Sequence, residues 1–325
     1  MSRLPIVPAA LAAGATRLSY AGLRRVPPGG DATWSRTNHR GEPVTLLEGP
    51  AAAVGAVVGA LATPGAPGRQ RAAMLIAGAA AGALGCYDDL AGSGSSRGFR
   101  GHLAALRRGE VTTGAVKLAG IGAAGIAASM VLGSGRSAGS GRPVSGDGAV
   151  LGAADIVLNA GLIAGGANLL NLFDLRPGRA IKVALGAGAL LGTSRQGRAA
   201  SAAPLGAAAV LLPEDLGERA MLGDGGANAL GAMLGTAAAT LPRPARVVTL
   251  AAVLGLTAAS EVVSFTKVIE RTPALRWLDM LGRRPAAEQV PAPAQSAGDG
   301  GAGPAEHGAA AQWPDSAAAG SSAAQ

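Results

Sequence analysis

The chain has 325 residues, of which 49% are hydrophobic and only 15% charged, against about 25% charged in soluble domains, and its net charge is +8. Aromatic residues make up 2% and no basic run is interleaved with them, which excludes the stacking platforms of a nucleic-acid binder and leaves topology to explain the positive charge. A single cysteine, Cys86, excludes an intramolecular disulfide framework and reads as a small buried residue.

A membrane helix needs about 20 mainly apolar residues. Taken in chain order, the candidate spans are 4–22, 46–64, 70–88, 113–133, 150–173, 180–194, 198–213, 220–241 and 246–265. The first has Arg3 ahead of its apolar core, as a signal peptide would, but its early prolines and weak hydrophobicity favour a span. The sixth and seventh are short. The apolar content is mostly Ala, Val and Leu with 52 Gly, so mean hydropathy reaches only +0.31. Small residues let helix backbones approach closely where lipid supplies no hydrophobic drive. Gly55/Gly59, Gly78/Gly82, Gly161/Gly165 and Gly231/Gly235 have that spacing inside apolar stretches. From 286 the chain turns to Pro, Ala, Gly and Ser without apolar periodicity, which predicts a disordered cytoplasmic tail over 286–325 after a membrane domain over 1–285. The fold expected is therefore an all-α polytopic membrane protein of about nine spans, within a range of 8–11.

Nine spans put the termini on opposite sides. The face receiving loops 23–45, 89–112, 174–182, 214–219 and the C-terminal segment carries 17 Lys/Arg against 9 on the other. The richer face is cytoplasmic, which sets the N-terminus outside and the C-terminus inside. Asp88 and Asp89 then follow the third span, Asp174 follows the fifth and Asp224 precedes the eighth, so all emerge on the cytoplasmic side. Acids held at the mouths of membrane helices bind ions or do chemistry, because carboxylates are costly at membrane depth. The blander alternative is that each caps a helix or solvates a loop.

Several carboxylates with a few cations suit a divalent metal and a phosphorylated substrate, since Mg²⁺ takes one or two carboxylates plus substrate phosphates. Such an ion neutralises charge developing on a transferring phosphoryl group. Asp224 lies between Gly223 and Gly225-Gly226, where backbone can approach a ligand and a helix can begin. Adjacent like charges at Asp88 and Asp89 can raise one pKa enough to make a base. The segment GDGGANALG is not a P-loop, because GxxxxGK[ST] is absent. A transporter would also use acids at membrane depth, but it predicts mid-span acids and inverted repeats, and neither is present.

GCYDDLAG, NLLNLFDLRPG and MLGDGGANALG, in that order, resemble the motifs of the polyprenyl-phosphate N-acetylhexosamine-1-phosphate transferases, which include phospho-N-acetylmuramoyl-pentapeptide transferase and the undecaprenyl-phosphate GlcNAc-1-phosphate transferase. RTNHRGEPVTLLEGP (36–50) is similar to that family's first cytoplasmic loop, and the resemblance covers roughly residues 36–265. It implies a multi-pass plasma-membrane enzyme with a cytoplasmic active site, transferring a sugar-1-phosphate from a UDP-sugar to polyprenyl phosphate and releasing UMP for cell-envelope synthesis. It also implies Mg²⁺, with Mn²⁺ as the alternative ion, held by Asp224. Asp88 and Asp89 would hold or deprotonate the lipid phosphate, Lys117 would contact the diphosphate, and Asn168, Asn171, Asp174 and Arg40 would bind substrate. The GxxxG pairs permit a homodimer. The chain departs from the family where Leu175 replaces a glycine, Pro177 an acid and Ala227 a serine, and where a histidine-bearing loop gives way to KVIERTPALRWLDMLGRRP. These departures leave a catalytically inactive member, binding the lipid carrier or an assembly partner, as the alternative expectation.

Overall fold

Each of the nine apolar stretches forms a helix. The structure, a computed structural model, describes residues 5–92, 98–137 and 146–285, and the expected tail over 286–325 lies outside the described residues. The chain is mostly helical (77%), and the residues up to Arg284 make one unit. In chain order come α1 (Ile6–Arg25), α2 (Asp31–Trp34), β1 (Ser35–Thr37), β2 (Pro43–Thr45), α3 (Glu48–Leu61), α4 (Gly68–Ala91), α5 (Gly98–Arg107), α6 (Thr113–Ser137), α7 (Gly146–Phe173), α8 (Arg179–Leu191), α9 (Arg195–Leu216), α10 (Gly223–Ala238), α11 (Arg243–Ser260), α12 (Phe265–Arg271) and α13 (Pro273–Met280).

The bundle is built around α10. Its Gly- and Ala-rich sequence is buried from Gly225 to Ala238, and only such small side chains let α3, α4, α7 and α9 all approach it. The predicted glycine pairs lie at helix contacts. A Cβ on Gly55 or Gly59 would strike α1, one on Gly78 would strike Met233 of α10, and one on Gly231 or Gly235 would meet the α7 carbonyls of Gly166 or Leu162 at 2.3 and 2.2 Å. Gly161 and Gly165 face Leu250 and Val253 of α11.

Among the described residues, three helical segments are long and apolar enough to cross a membrane, Gly68–Ala91, Thr113–Gly133 and Gly152–Phe173. The pair α11–α12 adds a fourth if its two parts make one span, although they are bent by 94°. The other helices are short or diluted by Gly and Ala. α11 buries only Arg246 and turns Val247, Val248, Leu254 and Leu256 outward, as a lipid-facing helix does.

Consecutive long helices of the chain run antiparallel, whereas α11 lies parallel to α7, its Leu250 and Val253 meeting Gly161 and Gly165. At one end of the bundle Ser129 of α6 meets the Ile156 carbonyl of α7, and Arg246 of α11 binds Asn159 and Asp155 of α7 at 2.8 and 3.2 Å. At the other end the β1–β2 hairpin pairs antiparallel, and Thr45 bridges to Ala220 just ahead of α10. That second end carries the aspartates.

Candidate active site

The end of α4, the start of α6 and the start of α10 converge on one polar cluster. Gly85 of α4 lies against the Asp224 carbonyl, where a Cβ would come within 2.3 Å, so the two helices meet with almost no side chain between them. That contact brings Asp88 and Asp89 to the N-terminus of α10. Lys117, one turn into α6 and 9% exposed, places its ammonium between the Asp88 and Asp224 carboxylates, 2.6 Å from Asp88 Oδ2 and in direct contact with Asp224 Oδ2.

Asp89 has a different task. Its carboxylate accepts the backbone N–H of Asp224 at 3.1 Å and of Gly225 at 2.9 Å, so it caps α10 from another helix. The Asp89 carbonyl in turn accepts a hydrogen bond from Arg36 of β1. Gly223 takes φ +58° to start α10, and a Cβ there would lie 2.9 Å from Asp89 Oδ2. The glycines around Asp224 are thus required by the approach of α4 and Asp89, where the sequence reading expected the approach of a ligand.

Asp174 follows α7 and lies close enough to Asp215, Asp224 and Asp89 for their charges to act on it. Loss of hydration, then the negative charges of Asp215, Asp224 and Asp89, push its pKa well above the usual carboxylate range. Behind Lys117 a cavity of about 40 Å³ is lined by Asn168 and Asn171 of α7, Asn228 of α10 and the aliphatic Leu118, Ile121 and Ala164. The structure therefore unites Asp88, Asp89, Asp174, Asp224, Lys117, Asn168 and Asn171.

Arg40 is placed elsewhere. It forms an ion pair with the buried Glu218 at 2.9 Å and donates to the Arg284 carbonyl, tying the hairpin to the segment after α13. An arginine in a polar loop carries no sequence mark that separates a substrate contact from such a strut.

Sequence reasoning missed three buried polar groups. Asn228 is 1% exposed with its Nδ2 lacking a hydrogen-bond partner, inside a stretch read only for its glycines. Glu48 starts α3 fully buried, with neither carboxylate oxygen bonded. Asp215, past the apolar stretch of α9, accepts the Gly178 N–H at 2.9 Å, and burial pushes its pKa up to about 7. Polar residues inside otherwise apolar helices were the available signal.

Among the described residues no group of three or more histidine, cysteine or carboxylate side chains is arranged to hold a metal ion. Asp88 and Asp224 face one position from two sides, held here by the Lys117 ammonium, and an ion bound by one or two carboxylates and completed by substrate oxygens would have to take that place from it. The carboxylates of Asp88, Asp89 and Asp224 outnumber the one ammonium, so an anionic substrate would be drawn in together with a cation. Compared with known proteins, the chain matches no family model and no curated protein sequence.

Proposed function

We propose that the chain is a membrane phosphoglycosyl transferase that moves a sugar-1-phosphate from a UDP-sugar to polyprenyl phosphate. The observation that carries this reading is the junction of Asp88, Lys117 and Asp224 at the tip of α10, a charged site formed where three helices end together. On this reading the nine helices are spans, with that end of the bundle cytoplasmic.

Asp224 would hold Mg²⁺ against the diphosphate, where the ion would neutralise charge on the transferring phosphoryl group. A polyprenyl phosphate oxygen forms a bond to the sugar-bearing phosphorus as the bond from that phosphorus to the UMP oxygen breaks. Asp88 takes the proton of the lipid phosphate. Lys117 stands next to both carboxylates and fixes the phosphoryl oxygens. Asp89 keeps the α10 N-terminus aimed at the site, and Asn168, Asn171 and Asp174 line the approach for the nucleotide sugar.

The test is UMP release by the purified protein with undecaprenyl phosphate, Mg²⁺ and a panel of UDP-sugars. Mg²⁺-dependent turnover abolished by Asp224→Ala is the expected result. A second reading, a non-catalytic carrier binder, is favoured by the Lys117 ammonium already sitting between the two carboxylates and by Ala227 in place of a hydroxyl. Absence of turnover in folded protein that binds polyprenyl phosphate would select it.

A further inference from the structure

A helix in water buries its apolar stripe and turns its charges outward. The end of the described chain departs from this by burying an acid and turning large apolar side chains outward. Asp279 of α13 is 8% exposed and points into the protein, where its carboxylate accepts Arg179 Nε at 2.7 Å, Arg179 Nη2 at 3.0 Å and Arg283 Nη1 at 2.9 Å. Lys182 holds the same turn by donating to the carbonyls of Leu278 and Asp279 at 3.0 and 2.7 Å. Leu275, Trp277, Leu278 and Leu281, meanwhile, are 42–64% exposed.

The direction of the chain supplies the second observation. α11 turns its apolar side outward along its length, and α12 leaves it at 94°. If α11 crosses a bilayer, a right-angle bend at its end lays the next helices in the plane of the interface. The composition of α12 and α13 suits that plane. Exposed Lys267, Arg271 and Arg276 stand against the one exposed acid, Glu270, and Trp277 has the amphipathic ring that settles at headgroup level.

We infer that α12–α13 is an interfacial anchor whose apolar face rests in the headgroup–acyl boundary of an anionic leaflet, held to the bundle by Arg179 and Asp279. The anchor rests on α11 being a membrane span and is independent of the transferase reading. Arg179 begins α8 directly after the loop carrying Asp174, so the leaflet braces the floor of the candidate site.

The test uses the full chain in lipid nanodiscs, with Trp34→Phe and Trp313→Phe leaving Trp277 as the only tryptophan. Brominated phosphatidylcholine and phosphatidylglycerol should remove most of its emission while iodide removes little. Strong iodide quenching without bromolipid quenching would place the face in water and overturn the anchor. Protection from both would assign the face to a second copy or another protein and overturn it equally. Bromolipid quenching should weaken in purely neutral lipid and in Arg271→Glu/Arg276→Glu, and indifference to both would overturn the anionic preference. Should the tryptophan replacements unfold the protein, a nitroxide on Leu278→Cys in a Cys86→Ala background answers the same question. Collision with oxygen exceeding that with a water-soluble nickel chelate supports the anchor, and the reverse sinks it.

Discussion

Asp88 and Asp89 are neighbours in sequence and differ in what they bind, so substitution should separate them. Asp89 accepts two N–H groups of α10, and Asp89→Ala should lower stability by about 1–2 kcal/mol through loss of the cap. Asp89→Asn keeps one acceptor oxygen and should recover part of that loss, read as the thermal midpoint in detergent. Lys117→Met is expected to be the more damaging change, by about 3–5 kcal/mol, because it leaves Asp88 and Asp224 facing each other unneutralised. Added Mg²⁺ should then raise the midpoint of Lys117→Met more than that of wild type. An equal response in both proteins would remove the argument that the two carboxylates share a cation position. At this scale the meeting of the acids at one end of the bundle was legible from their places at helix mouths, whereas their tasks were not, since Asp89 takes the capping role that was the blander reading. Asn228 and Glu48 were not legible, since a polar residue in an apolar helix looks alike whether it meets a partner helix or a cavity.

The helices owe their arrangement to glycine contacts, and two of these differ in how they resist an added methyl. A Cβ at Gly225 would lie 2.5 Å from Cys86 Sγ, a side-chain atom, whereas one at Gly85 would lie 2.3 Å from the backbone carbonyl of Asp224. Gly225→Ala and Gly85→Ala should each destabilise by about 1–3 kcal/mol through overpacking. Removing the sulfur with Cys86→Ala should restore much of the loss in Gly225→Ala and none in Gly85→Ala, a coupling that a double-mutant cycle of unfolding midpoints measures. Equal rescue of both would show that α4 and α10 move apart as rigid bodies. The nine long helices were readable in sequence because each carries a continuous apolar stretch bounded by Pro, Gly or charge. The hairpin was not, being three residues a strand and set in register by Thr45 bridging to Ala220, far away in the chain. Nor were α12 and α13, which lie in a segment read only for the histidine-bearing loop it replaces.

At the scale of the whole molecule, the last described helices are joined to the bundle by the buried Arg179–Asp279 pair and by one aromatic contact, Phe265 of α12 stacking on Phe173 of α7 with ring centroids 4.8 Å apart. Arg179, 4% exposed, carries the pair with Asp279 and also donates to Thr266 of α12 at 2.9 Å, so one side chain of α8 secures both short helices. Burial alone would raise the Asp279 pKa. The hydrogen bonds and charge of Arg179, with Arg283 and Lys182, outweigh it and hold that carboxyl below the usual range. A depressed carboxylate pKa contributes stability above its unfolded value and loses it as pH falls through the folded one. Protection of the amides in 265–280 from hydrogen exchange, corrected for intrinsic rates, should therefore be level from neutral pH down to about 5 and decline below about 4, the ordinary carboxylate range. Asp279→Asn should remove the acid limb of that profile, because the group that titrates is gone, and should leave the segment poorly protected at every pH. Breaking one partner of a buried pair strands the other, so Asp279→Asn should expose the segment more than Arg284→Ala does, whose ion pair with Glu42 at 2.6 Å is solvent-exposed and screened by water. If the two variants exposed the segment equally, its attachment would lie in the Phe173–Phe265 stack or in the Trp277 face and the membrane beneath it, not in the Arg179–Asp279 pair.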